Sequence, residues 1–408
     1  MACLIDLPVE MINLIIDVGL DNDDLLHFRS TCRELRTKSF DSFRDRFFTT
    51  RFHMVEAHSL DVLYHISQAT NLASSVRSLK ISSCHFVQRE LDGLMAVGIG
   101  KLTDQNNYAK YKQYLDAQSK LYKQGLAAVI LSATLKNLTN CRDVSIVVER
   151  PPQQPWGRAS LRKRINNDVV CGMMERDEDG PHVKDIVHAV LAAIVKSQTP
   201  LESFRIVYSG GVDPTIDPSM LLPTCLDAME PGHPFRWISH LELILDPLRN
   251  REGYSQQEYI DDWSRFLAIF QNLISIELGF NIRDKQERFH GIVTRLQFSC
   301  LQRFSIDSID CDKHDLIKLL TNHKRTLRAI KFTSVMLHDD TRPWQSVLQF
   351  INDNLQLNEL AIVHCGVGYK ELVGIFDSES GTFKPKIRMG DGALSLSEFI
   401  TSFTVEEL

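Results

Sequence analysis

LQRFSI (301–306), LRAIKF (327–332) and LNELAI (357–362) are short stretches of one design, with apolar residues at offsets 0, 3 and 5. The same spacing recurs upstream at Val76-Leu79-Ile81, Cys141-Val144-Ile146, Leu201-Phe204-Ile206, Ile238-Leu241-Leu243 and Leu273-Ile276-Leu278. In a strand, residues two apart share a face, so offsets 3 and 5 point together and offset 4 points away. The first two intervals are near 60 residues and the remaining five lie between 26 and 37. Helical patterns fill the gaps. HVKDIVHAVLAAIVKSQ (182–198) places Ile186, Val187, Val190, Leu191 and Ile194 on one stripe. SQQEYIDDWSRFLAIFQNL (255–273) opens with Ser255 and Glu258, the spacing of a capping box. KHDLIKLLTNH (313–323) and RPWQSVLQFINDN (342–354) follow later. Strand alternating with helix at this period predicts an α/β fold of stacked units, each burying its apolar side on its neighbours.

The spacing resembles the L-x-x-L-x-L core of the leucine-rich repeat. That repeat adds Asn or Cys at offset 8, met by Cys84, Asn281 and Cys365, and an apolar residue at offset 10, met by Phe86, Leu248, Leu337 and Val367. The resemblance implies an irregular horseshoe over residues 71–408, with parallel strands inside and helices outside. Two stretches interrupt it. Residues 103–125 are polar and tyrosine-rich and predict a protruding helix that continues into 126–137. Residues 150–181 combine prolines, the basic run Arg162-Lys163-Arg164 and an acidic run, as a loop insertion would.

At the chain's start, LIDLPVEMINLII (4–16) puts Pro8 at a first helical position and Glu10 in the first turn. Three short helices are expected, at about 8–18, 23–30 and 31–40. So few residues make a poor independent core, and the unit needs outside support. The series Leu7-Pro8-x-Glu10, Ile12, Ile15, Asp24-Leu25-Leu26, Arg29, Cys32, Leu35-Arg36 resembles the F-box motif. Thr31 stands where a valine is usual, and the tryptophan common near the motif's end is absent. The expected organisation is an F-box-like helical module at 1–45, a helical linker or cap at 46–70, and the repeat domain beyond.

The resemblance implies docking onto a Skp-type adaptor, and through it a cullin, by Leu7, Pro8, Ile12, Ile15, Leu25, Leu26, Arg29, Cys32 and Leu35. The chain would then be a non-catalytic substrate-recognition subunit of an SCF-type ubiquitin ligase. Two alternatives stay open: an adaptor-binding scaffold with no role in ubiquitination, and a plain repeat protein capped by its N-terminal helices. The target protein would meet the strand residues that face away from the core. Lys80, Arg205, Glu242, Glu277 and Lys331 occupy offset 4, with His240 and Arg303 at offset 2. Charge along this series runs basic, acidic, then basic again.

Other chemistry is poorly supported. A net charge of −6 argues against nucleic acid as a general partner. AVGIGKLT (96–103) fails as a phosphate loop, because Met95 replaces the first glycine and Leu102 the hydroxyl residue. GxSxG and HExxH do not occur. Cys84-His85, Cys311-x-x-His314 and His364-Cys365 lack the paired spacing of a zinc site, so no metal or cofactor is expected. Charges interrupt every apolar run before membrane-spanning length, and scattered cysteines suit a reducing compartment. A cytoplasmic or nuclear location is expected.

Overall fold

A computed structural model describes residues 4–86, 102–149, 181–209, 218–222, 233–245, 255–284, 286–338, 343–367, 370–371 and 386–388. The architecture is α/β: a largely parallel sheet with helices. The aligned segments become β2 (Ser78–Ser82), β3 (Asp143–Glu149), β4 (Ser203–Ser209), β5 (His240–Leu245), β6 (Ser275–Asp284), β7 (Arg303–Cys311), β8 (Ala329–Leu337) and β9 (Glu359–Val363). Each pairs in parallel with the next, in chain order. Offset-3 residues pair across strands from Leu79 through Phe204 and Phe304 to Leu360, and all of them are buried.

The helices answer the strands. They are α5 (Ala57–Gln68), α6 (Thr70–Ala73), α7 (Leu102–Lys123), α8 (Leu126–Asn137), α9 (Pro181–Ser197), α10 (Gln256–Ala268), α11 (Gln286–Val293), α12 (Lys313–Asn322) and α13 (Pro343–Asn354). Their apolar stripes and the inward strand residues form one continuous core. Ser255 and Glu258 cap α10 reciprocally. Trp344, on α13, donates from Nε1 to the Gly366 carbonyl at 2.8 Å, closing the last turn of the core. Ser308, Ser334 and His364 all adopt left-handed backbone, with φ of 57°, 52° and 51°. Each lies seven residues after its repeat's first apolar residue, so successive strands bend at one equivalent place.

Three expectations need correction. The linker at 46–70 is not wholly helical: β1 (Thr50–Met54) pairs in parallel with β2 and begins the sheet. Its inward positions are Arg51 and His53, opposite Leu79 and Ile81. The apolar spacing is therefore absent from that strand. The polar helix α7 does not simply protrude, because Tyr111 and Gln118 are buried. The Gln118 amide holds both the N–H and the carbonyl of Phe86, at 2.9 and 3.0 Å, and Phe86 stacks on Tyr114. The N-terminal unit has a fourth helix: α3 (Arg33–Lys38) falls where the third was expected, and α4 (Phe40–Phe48) follows it and reaches past residue 45. The expected insertion at 150–181, except for its last residue, the basic run within it, and Leu248 lie outside the described residues.

The N-terminal unit opens with α1 (Val9–Gly19) and α2 (Asn22–Thr31). It has a small separate core of Ile12, Ile16, Leu25 and Leu35, edged by partly buried residues including Leu7, Phe28 and Phe43. Cationic side chains staple it. Lys38 donates to the carbonyls of Ile5 and Leu7 at 2.5 and 2.9 Å, and Arg46 to those of Ile16 and Leu20 at 2.5 and 2.6 Å. The Ile16 and Leu20 carbonyls lie at the end of α1, where a cation also meets the negative pole of the helix. One residue, Thr49, separates α4 from β1. Among the described residues no helix is long and apolar enough to cross a membrane.

Candidate functional site: two interaction surfaces

The first surface belongs to α1. Its inner stripe, Ile12 and Ile16, is fully buried. A second stripe, Met11, Leu14, Ile15 and Val18, has the i, i+3, i+4, i+7 spacing of one helix face and stands exposed. Val18 is 82% exposed and Leu14 56%, values unusual for large apolar side chains on one continuous face. Pro8 and Leu26 are exposed as well.

The expected adaptor residues divide between this surface and the interior. Pro8, Ile15 and Leu26 are exposed. Ile12, Leu25 and Leu35 are buried against one another, which corrects the expectation that they face a partner. Helices this short must spend their regular apolar positions on their own packing. Leu7 is half-buried against that core. Arg29 donates to the Arg36 carbonyl at 2.9 Å and to Ser39 Oγ at 3.0 Å, with its guanidinium 3.9 Å from the Phe43 ring. It joins α2, α3 and α4. Cys32 is exposed, and its sulfur caps α3 by accepting from the Leu35 N–H at 3.5 Å. Met11, Leu14 and Val18 are not among the motif residues expected to dock the adaptor. The signal that finds them is a helical wheel on which both faces of one helix are apolar.

The second surface is the sheet face turned away from the buried residues. Here the strand register is decisive. Lys80 pairs with Ser145, Ser145 with Arg205, Arg205 with Glu242, Glu242 with Glu277, Glu277 with Ser305, Ser305 with Lys331 and Lys331 with Ala361. The residues expected to meet a target thus form one unbroken row. His240 and Arg303 fall in the adjacent row and are exposed.

Within the row the charges are unequally satisfied. Arg205 grips Asp143 at two points, Nε to Oδ1 at 2.9 Å and Nη2 to Oδ2 at 2.6 Å. That bond holds the Arg205 guanidinium above its usual value. Lys331 stands 3.7 Å from Glu277. Glu242 is half-buried, and its carboxyl is held above the usual range by burial first and by the Glu277 charge second. Asp307, beyond Glu277, is raised chiefly by burial. Arg205, His240, Glu242 and Glu277 line a recess of about 260 Å³, completed by Ser203, Leu241 and Ser275.

Cys84 and Cys365 are buried, and the Cys365 thiol donates to the Val363 carbonyl at 3.5 Å. Among the described residues, no three His, Cys, Asp or Glu side chains are grouped to hold a metal ion. Compared with known proteins, the chain matches no family model and no curated protein.

Proposed function

We propose that this protein is a non-catalytic substrate receptor of an SCF-type ubiquitin ligase. In this reading the N-terminal unit is an F-box that docks a Skp-type adaptor, and the strand–helix array is an irregular leucine-rich-repeat horseshoe that binds the target. The observation that carries the reading is the outer stripe of α1, Met11, Leu14, Ile15 and Val18, exposed on a unit whose inner stripe is already buried. Covering an aliphatic side chain of this size is worth about 1.5–3 kcal/mol. A partner helix or groove on this stripe would therefore recover a large free energy. The receptor makes and breaks no bond itself. Holding a target beside the transfer machinery raises the effective concentration of the acceptor lysine.

The test is affinity purification of the full chain beside Leu14→Glu/Val18→Glu. Both side chains are exposed, so the variant is expected to fold with an unchanged unfolding midpoint and to lose the adaptor and cullin. Retention of the adaptor at the wild-type level overturns the reading. Accumulation of a bound protein on deleting residues 1–48 separates a substrate receptor from a scaffold that merely binds the adaptor.

A further inference from the structure

The row on the sheet face carries a charge imbalance at one place. Arg205 is committed to Asp143 by two hydrogen bonds, and Lys331 is shared with Glu277. Glu242, between them, has neither an ion-pair nor a hydrogen-bond partner among the described residues. It is the register partner of a second carboxylate, Glu277. Like charges directly opposite on neighbouring strands destabilise a sheet, more so where water is partly excluded. Two hydroxyls on the same row are also unmatched. Among the described residues Ser145, 1% exposed and paired in register with Arg205, has no partner for Oγ, and neither has Ser305, beside Glu277. Buried polar groups in folded proteins are seldom left so. The recess at Glu242, about 260 Å³, has room for the end of a long side chain.

We propose that the recess between Arg205 and Glu277 receives a basic side chain, arginine or lysine, from the segment of target protein bound along the row. The inference rests on the substrate-receptor reading of this face and names the chemistry of what it takes. A cation placed there pairs with the Glu242 carboxylate and relieves its repulsion with Glu277. Ser145 and Ser305 lie on the same row, one strand beyond Arg205 and Glu277 on either side of the recess. An acidic segment fits the recess poorly, because Arg205 already has its carboxylate.

Fluorescence anisotropy tests this with the full-length protein alone and short labelled peptides in which serine alternates with arginine, lysine, glutamine or glutamate. The arginine or lysine peptide is expected to bind, with affinity falling as salt rises, and the glutamine and glutamate peptides are not. Glu242→Gln should weaken binding about tenfold, the loss expected for one charge-assisted contact. Asp61→Asn on α5 removes the same charge elsewhere and should leave binding unchanged. Equal binding of the glutamine peptide, wild-type binding by Glu242→Gln, or an equal loss in Asp61→Asn overturns the proposal. An unchanged or higher unfolding midpoint for Glu242→Gln shows that any lost binding is not lost folding. Adaptor copurification is measured separately, so failure of the receptor reading and failure of this one remain distinct.

Discussion

His53 occupies a position on β1 that isoleucine takes on β2, and it is fully buried. Its Nδ1 lies 3.1 Å from the Ser59 carbonyl, and the Arg51 guanidinium lies 3.3 Å from Nε2. Burial, reinforced by the Arg51 charge, pushes the imidazole down to about 3. The unfolded chain binds the proton below about 6.5. The histidine's contribution is therefore complete above that pH and drains away as pH falls toward 3. The loss amounts to roughly 5 kcal/mol at most. Glu242 and Asp307 act with the opposite sign: their raised carboxyls weaken the fold near neutrality, and acid relieves them. Urea unfolding measured from pH 7 to 4 should show wild type losing stability, with His53→Gln following a flatter curve. Parallel curves would contradict this assignment. The same residue explains why β1 was illegible in the sequence. A rule that looks for buried apolar residues at alternate positions passes over a strand that buries arginine and histidine through hydrogen bonds.

Glycines mark how the elements meet. Gly125, between α7 and α8, has φ of +64°, and a side chain there would touch nothing within 4 Å. Gly125→Ala therefore has a conformational cost only, about 1 kcal/mol. Gly291 on α11 is different, because an added Cβ would run into the Ile260 side chain of α10. Gly291→Ala should cost more, about 1–3 kcal/mol, by forcing the two helices apart. Denaturant midpoints of the two variants check the order, and a smaller loss at Gly291 would refute it. At this scale the repeated strands and the α9, α10, α12 and α13 helices were readable, because period and capping are local signals. The recurrent left-handed bend at Ser308, Ser334 and His364 was not, since none is glycine. Surrounding packing imposes that conformation against local preference. On α1 the motif did not separate the two faces: Ile12 and Ile15 are both motif positions, yet Ile12 is buried and Ile15 exposed, and Val18 lies outside the motif.

Across the whole molecule, the N-terminal unit meets the start of the sheet through α4 and Thr49. Four residues are fully or nearly buried in its small core, too few for a chain of this size to stand firmly alone. The junction lends support. Arg51 on β1 donates to the Phe47 carbonyl on α4 at 2.7 Å, and its guanidinium lies 5.1 Å from the Phe48 ring. The Thr49 carbonyl accepts from the Arg77 and Ser78 N–H groups at 2.8 and 3.1 Å, and α4 touches both α6 and β1. Inserting Gly-Ser-Gly between Phe48 and Thr49 should uncouple the two parts. Calorimetry is expected to show an early transition for the N-terminal unit ahead of the main one, where wild type gives one. A single unshifted transition would show that the unit needs no such support.

The unbroken register from Lys80 to Ala361 also makes the sheet face a ruler. Neighbouring strands stand about 4.8 Å apart, so charges on the row are separated by whole multiples of that pitch. Arg205 and Glu242 are one step apart, and Glu277 and Lys331 are two. Gaining or losing one strand–helix unit would shift the outer charges by a single step and leave the chemistry of every residue unchanged. For any chain laid along the row, selectivity for how far apart its charges lie would thus be set by counting, before any side chain is altered.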